Sequence, residues 1–274
     1  MGMKVFFSAI LASLTFLASH LQANAAASAW QDITGGRIRV VIADPAPGEK
    51  SVQGMLQVDL APGWKTYWRD PGDAGVPLLV DVSKSTNTTL TTVEFPAPHR
   101  FDDGVSIWAG YKEPVNFGLA LQRIDSASPM KLSGNVFLGV CEKICVPVQY
   151  DFDLDVKDSA APTMHHELVA MAMKDMPLAA TAEFGVTSIS TDWETISIEA
   201  MAPEGSPQAE LFLAAPEGFQ FTAPVLKSQM GGKLHFEAKF LSKSRKYIPD
   251  PKIVAYTLVT NNGAVSGEIA LSHR

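Results

Sequence analysis

The stretch LSGNVFLGVCEKICVPVQYDFDLDV, residues 132–156, decides the fold. Its second part alternates: Tyr150, Phe152, Leu154 and Val156 fall on one face, and Gln149, Asp151, Asp153 and Asp155 on the other. A period of two marks a strand with one face buried and one wet, the pattern of antiparallel sheets. A second strand-like run, 132–140, precedes it, and between the two lie both cysteines of the chain, Cys141 and Cys145. In one continuous strand these would stand about 13 Å apart, whereas a disulfide needs Cα atoms within about 7 Å. For the sulfurs to meet, the chain must reverse at Glu142-Lys143-Ile144, with the pair facing across the mouth of a hairpin.

The same pattern runs outward in both directions. Alternating runs at 37–44, 55–61, 78–83 and 115–122 precede the hairpin, broken by Gly/Pro turns such as DPGDAGVP (70–77). Short strands so punctuated predict an all-β, immunoglobulin-like sandwich over 30–157. After Val156 the composition changes. The segment 158–181 is expected to be a linker with one helix, N-capped by Thr163 and ended before Pro177. Met164, Leu168 and Met171 are spaced to form its packing face, and the adjacent His165 and His166 point to different sides, which does not favour a metal site. Strands resume at 185–190, 194–201, 209–215, 233–240, 252–260 and 264–272, with Asn262-Gly263 as a tight-hairpin signal. This predicts a second small sandwich over 182–274.

With 274 residues, 46% of them hydrophobic, the chain has apolar surface for real cores without needing a disulfide to fold. Its net charge of −7 argues against nucleic acid or anionic membrane surfaces as partners. Residues 1–29 read as a secretory signal peptide: Lys4, an apolar run from Val5 to Leu17, and a small-x-small site at Ala23-Asn24-Ala25. No later stretch reaches the roughly 20 apolar residues of a membrane span, so stable membrane insertion is not expected after cleavage. Export leads to a compartment where disulfides persist.

A bond between Cys141 and Cys145 closes a very small ring. The chain-entropy estimate gives it about 2 kcal/mol, against about 4.7 for a hundred-residue loop. It is a poor staple, and labile or exchangeable disulfides are often strained or exposed ones. The opposing reading is an inert clip that tidies one hairpin, in a non-enzymatic secreted module whose second sandwich does the binding. Metal is not expected, because two thiolates do not complete a tetrahedral site and no histidine lies at ligand spacing. No cofactor is expected. Lys143 favours a thiolate and Glu142 opposes it, and which cysteine attacks stays open. Trp64, Tyr67 and Trp68 are read as packing the sandwich edge, Arg69-Asp70 as a turn pair, and His99 as a surface-loop residue.

Four motifs in order, GWKTYWRDPGDAGVP (63–77), EFPAPHRFDDG (94–104), IWAGYKEPVNFGLAL (107–121) and GVCEKICVPVQYDFDL (139–154), resemble the amino-terminal periplasmic domain of the DsbD thiol:disulfide interchange family. They look closest to its DsbD-like and suppressor-of-copper-sensitivity relatives. The resemblance implies an immunoglobulin-like sandwich whose cysteine pair, here Cys141 and Cys145, relays electrons to exported thioredoxin-like proteins. It also implies a cap loop over the pair, with Phe101, Asp102, Asp103, Trp108 and Tyr111 as its candidates. Asp102 or Asp103, if near the pair, is expected to take or return a proton. This chain shows neither the membrane nor the thioredoxin segment of the longer relatives, so the membrane electron donor is expected on another chain.

Overall fold

The computed structural model describes residues 26–273, apart from 73–74, 103, 105, 207, 217 and 244–251. The signal-peptide features and Asp103 lie outside the described residues. The expected boundary at 29 falls inside a packed segment: Ala26 is buried, its carbonyl accepts from Ile42 N at 2.6 Å, and Ser28 Oγ accepts from the Tyr150 hydroxyl at 2.5 Å.

The part up to residue 157 is a sandwich of two antiparallel sheets. Its strands are β1 (Gln31–Ile33), β2 (Gly36–Ile42), β3 (Ser51–Leu60), β4 (Lys65–Tyr67), β5 (Leu79–Asp81), β6 (Thr88–Glu94), β7 (His99–Asp102), β8 (Ile107–Tyr111), β9 (Val115–Arg123), β10 (Met130–Cys141) and β11 (Cys145–Val156). One sheet has the order β1-β2-β3-β9-β6; the other runs β11-β10-β4-β8-β7, with β5 also on β10. The alternation in β11 is the burial pattern itself, Tyr150, Phe152, Leu154 and Val156 inward and the aspartates exposed. These residues meet Ile38, Val40, Leu56, Phe117, Leu119, Leu132 and Val136 in one core between the sheets. Each such side chain removed from water is worth about 1.5–3 kcal/mol. Gly134 shows how tightly β10 is hemmed in: a Cβ there would stand 2.1 Å from the Asp81 carbonyl of β5.

The helix α1 (Met164–Met173) begins as expected, Thr163 Oγ1 accepting from His166 N at 3.2 Å. Its packing face differs from the methionine stripe. Met164 and Met171 are exposed, while Val169 and Ala172, helped by Leu168 and Met173, pack on Val41, Ala43 and Met55 of the first sheet. A flat patch on a sheet accepts small and branched side chains at close range, and the long methionines at 164 and 171 point to water instead.

The remaining strands also form two sheets. In one, the order is Leu178–Ala179, Gly263–Ala270, Ile253–Thr260, Ala209–Ala214; in the other it is Phe219–Phe221, Lys233–Lys243, Thr195–Met201, Gly185–Thr191, Ser272–His273, with Val225–Met230 also on Lys233–Lys243. Ile189, Ile196, Ile198, Leu211, Leu234, Phe236, Val254 and Leu258 fill the space between them. The expected last hairpin is present, but Thr260 pairs with Gly263, so the two turn residues are Asn261 and Asn262, and Gly263 (φ 121°) takes the first strand position. The described chain is thus almost entirely β, in the immunoglobulin-like sandwich style, with one helix among the described residues.

Candidate functional site

β10 and β11 pair over their whole length, from Met130 opposite Val156 to Cys141 opposite Cys145. The chain reverses at Glu142-Lys143-Ile144, and Cys141 and Cys145 form a disulfide with Cα atoms 4.1 Å apart. Side chains alternate along β10, so Val140 joins the core between the sheets while Cys141 emerges on the opposite face.

Neighbouring strands supply the surroundings of the sulfurs by the same rule. Lys65 of β4 lies directly opposite Cys141, and Thr66 opposite Val140. Thr66 is buried, its hydroxyl donating to the Gly139 carbonyl at 2.8 Å. Tyr67 therefore returns to the cysteine face, and its hydroxyl lies 3.1 Å from Cys141 Sγ and 3.1 Å from Cys145 Sγ. Next in the sheet, Trp108 of β8 meets Tyr67 edge-on at 5.7 Å, and Phe101 of β7, paired with Trp108 in register, stacks on it at 4.3 Å. Tyr67, Trp108, Cys141, Phe101 and Cys145 make one separate apolar cluster. Cys141 is 1% exposed and Cys145 is half-buried.

Two ammonium groups flank this cluster. Lys65 Nζ lies 4.2 Å from the Trp108 ring centroid and Lys112 Nζ 4.2 Å from that of Phe101. Positive charge beside a cysteine favours its thiolate, the nucleophilic form. Chemically the site holds two sulfurs that can interconvert between dithiol and disulfide, a hydroxyl able to donate to either, and a row of aromatic rings beside them.

Of the residues singled out from sequence, Cys141, Cys145, Phe101 and Trp108 come together here. Tyr111 does not. Three positions after Trp108, it faces the main core, where it meets Phe117 edge-on at 5.6 Å and donates to the Pro96 carbonyl at 2.8 Å. Burial pushes its phenol pKa well above the ordinary value, against a smaller pull downward from Arg69. Asp102 is exposed at the end of β7, its carboxylate accepting from Gly104 N at 2.9 Å. Asp103 is outside the described residues. Where the sequence suggested packing at the sandwich edge for all three, Trp64 and Trp68 pack on the main core and Tyr67 belongs to the sulfurs. His99 lies in β7 and not in a loop. Tyr67 and Lys65 were missed. The signal available was the alternation K-T-Y just after the Gly63 turn, which puts both on one face once those residues are taken as a strand.

Residues 40–157 match the family model described as thiol:disulfide interchange protein DsbD, N-terminal. The DsbD match runs from within β2 to just past β11, and so contains all five residues of the cysteine cluster. The likeness read from the four motifs is thus borne out over that span. The structure is also similar to the crystal structure of the N-terminal periplasmic domain of ScsB from Proteus mirabilis, with a TM-score of 0.71 and 23% identity, covering 90% of this chain and 99% of that one. At that identity the likeness shows the fold, and its coverage extends beyond the DsbD match into the strands after α1. A conserved domain protein from Bacillus anthracis aligns at a TM-score of 0.27 and 10% identity over 88% of each chain, too distant to carry an argument. No curated protein matches the chain.

Proposed function

We propose that this protein performs thiol–disulfide exchange in the periplasm through Cys141 and Cys145. The observation that carries the reading is the pairing of the two sulfurs at the mouth of a hairpin, in one cluster with aromatic rings, with one hydroxyl 3.1 Å from both. No helix among the described residues is long and apolar enough to cross a membrane. The DsbD match supports the type of reaction. The redox unit spans about 30–157, α1 lies in the linker 158–181, and 182–274 forms a second sandwich.

In the reduced protein, the half-buried Cys145 is the sulfur a partner reaches first. Its thiolate attacks one sulfur of the disulfide of an exported thioredoxin-like protein. The partner's S–S bond breaks, a Cys145–partner bond forms, and the partner's other sulfur leaves as a thiolate and takes up a proton. Cys141 thiolate then attacks Cys145 Sγ and releases the partner's second sulfur. Two electrons and two protons have passed to the partner, and Cys141–Cys145 is again a disulfide. A dithiol of the membrane donor restores the reduced pair by the same steps in reverse. Tyr67 donates to whichever sulfur carries negative charge, and the Phe101–Trp108 stack limits access by other oxidants and thiols.

Removing the resolving sulfur tests this. Cys141→Ser is expected to accumulate a mixed disulfide between Cys145 and a thioredoxin-like protein of the same compartment, seen as a reductant-sensitive band shift, while Cys145→Ser accumulates far less. Absence of any adduct from both variants would leave the inert clip as the better reading.

A further inference from the structure

The aromatic rings that share a cluster with the sulfurs sit on strands that the C-terminal sandwich grips from behind. In β7, Phe101 stacks on Trp108 in that cluster, and the residue before it, Arg100, points the opposite way. Arg100 Nη2 donates to the Leu211 carbonyl at 2.7 Å, its Nε lies 3.6 Å from Glu210 Oε1, and its guanidinium sits 4.6 Å from the centroid of the Phe212 ring. Leu211, Glu210 and Phe212 all belong to one strand of the second sandwich, Ala209–Ala214. Beside β4 the same pairing recurs: Tyr67 reaches the sulfurs, and the next residue, Trp68, meets Phe212 edge-on at 6.0 Å. Phe212 is buried in the core of the first sandwich, not that of its own. A single C-terminal strand thus holds the backs of the two segments whose fronts join the cysteine cluster.

We infer that Arg100 is a positioning residue through which the second sandwich holds β7, and with it Phe101, against Trp108 in the cluster that contains the Cys141–Cys145 disulfide, so that the hold on β7 sets how fast the sulfurs can be reached. The second sandwich then has a role in the exchange without contributing a sulfur. A partner that loosens its contact with Arg100 opens the cover at a distance, because access depends on the population of an open state. A partly buried hydrogen bond from a guanidinium is among the stronger single contacts available for such a hold.

The significance of this device rests on the exchange reading, but its measurement does not. The full mature protein is oxidised, and the rate of reduction of its disulfide by dithiothreitol is followed by quenching with a maleimide and weighing the product. Arg100→Ala is expected to raise that rate about tenfold, the change that follows from losing one charge-assisted bond holding the closed state, and Phe212→Leu, which keeps the bond to the Leu211 carbonyl and removes only the ring under the guanidinium, about threefold. The reduction potential stays where it was, since a cover that opens speeds both directions of exchange equally. Asp70→Ala serves as the comparison. Asp70 Oδ2 accepts from Ala215 N at 3.1 Å, a second hydrogen bond between the sandwiches that does not involve β7, and its loss should leave the rate within about twofold of the parent, the scale of a general weakening. Rates unchanged in both Arg100→Ala and Phe212→Leu overturn the inference, as does an equal acceleration in Asp70→Ala. Should Arg100→Ala fail to fold, Phe212→Leu decides alone. Faster reduction in these variants combined with no trapped partner in Cys141→Ser would sink the exchange reading and leave the hold intact.

Discussion

A hydroxyl 3.1 Å from two sulfurs has a consequence that depends on the state of the pair. The sulfurs of a disulfide are weak acceptors for the Tyr67 hydroxyl. Against a thiolate it has a charged one, and a hydrogen bond to a charged group is worth about 1.5–3 kcal/mol. Tyr67 therefore favours the reduced, ionised pair more than the oxidised one. Tyr67→Phe keeps the ring packed edge-on against Trp108 and removes only the donor. It is expected to slow alkylation of the reduced protein by iodoacetamide about tenfold near pH 7 and to move the midpoint of the pH–rate profile upward, since one pKa unit corresponds to about 1.4 kcal/mol. An unchanged profile would show that the hydroxyl does not touch the reactive sulfur. Lys65, directly opposite Cys141 in the sheet, adds positive charge in the same sense. The lysine that sequence reading weighed, Lys143, lies exposed at the hairpin tip.

The hairpin and the long strands were legible because they repeat: β11 shows its period of two over nine residues, and its inward face is the face the pattern assigns. The strands that carry the cover were not. β4 is Lys-Thr-Tyr, β7 is His-Arg-Phe-Asp and β8 is Ile-Trp-Ala-Gly-Tyr. Each is too short for a period to emerge, and what makes them strands is pairing with neighbours far away in sequence. Tyr111 was drawn to the site by its aromatic ring, but in β8 it stands an odd number of positions from Trp108, which sends it to the other face. Close strand approach explains Gly110 in the same element: a Cβ there would stand 2.2 Å from the Thr66 carbonyl and 2.9 Å from Tyr67 Cα. Backbone atoms cannot rotate away as a side chain tip can. Gly110→Ala should push β8 off β4 at a cost of roughly 1–3 kcal/mol, read as a lower urea midpoint, together with faster reduction of the disulfide as Trp108 is displaced from Tyr67. A variant with the parent's midpoint would show that the two strands have room to spare.

Over the whole molecule, stability resides in two apolar cores with a shared boundary at Phe212, and the disulfide stands outside both in its own cluster. The two-sandwich organisation was readable from strand runs and turn residues; the seating of one sandwich on the other was not, because Arg100, Trp68 and Phe212 signal nothing until the fold brings them together. The size of the ring, five residues from Cys141 to Cys145, sets its contribution at about 2 kcal/mol. The double variant Cys141→Ala/Cys145→Ala is therefore expected to fold and to melt only about 4–8 °C below the parent, given the usual 2–4 °C per kcal/mol for a chain of this size. Loss of the cooperative transition would mean that the bond holds the structure together after all. The central claim, that this disulfide exists to be opened and closed, is tested most directly by equilibrating the mature protein against glutathione and dithiothreitol redox buffers and counting free thiols by alkylation mass shift. The account predicts a reversible two-electron transition at a potential above about −300 mV, within reach of biological dithiols; a bond that stays closed below about −300 mV, the range of structural disulfides, would contradict it.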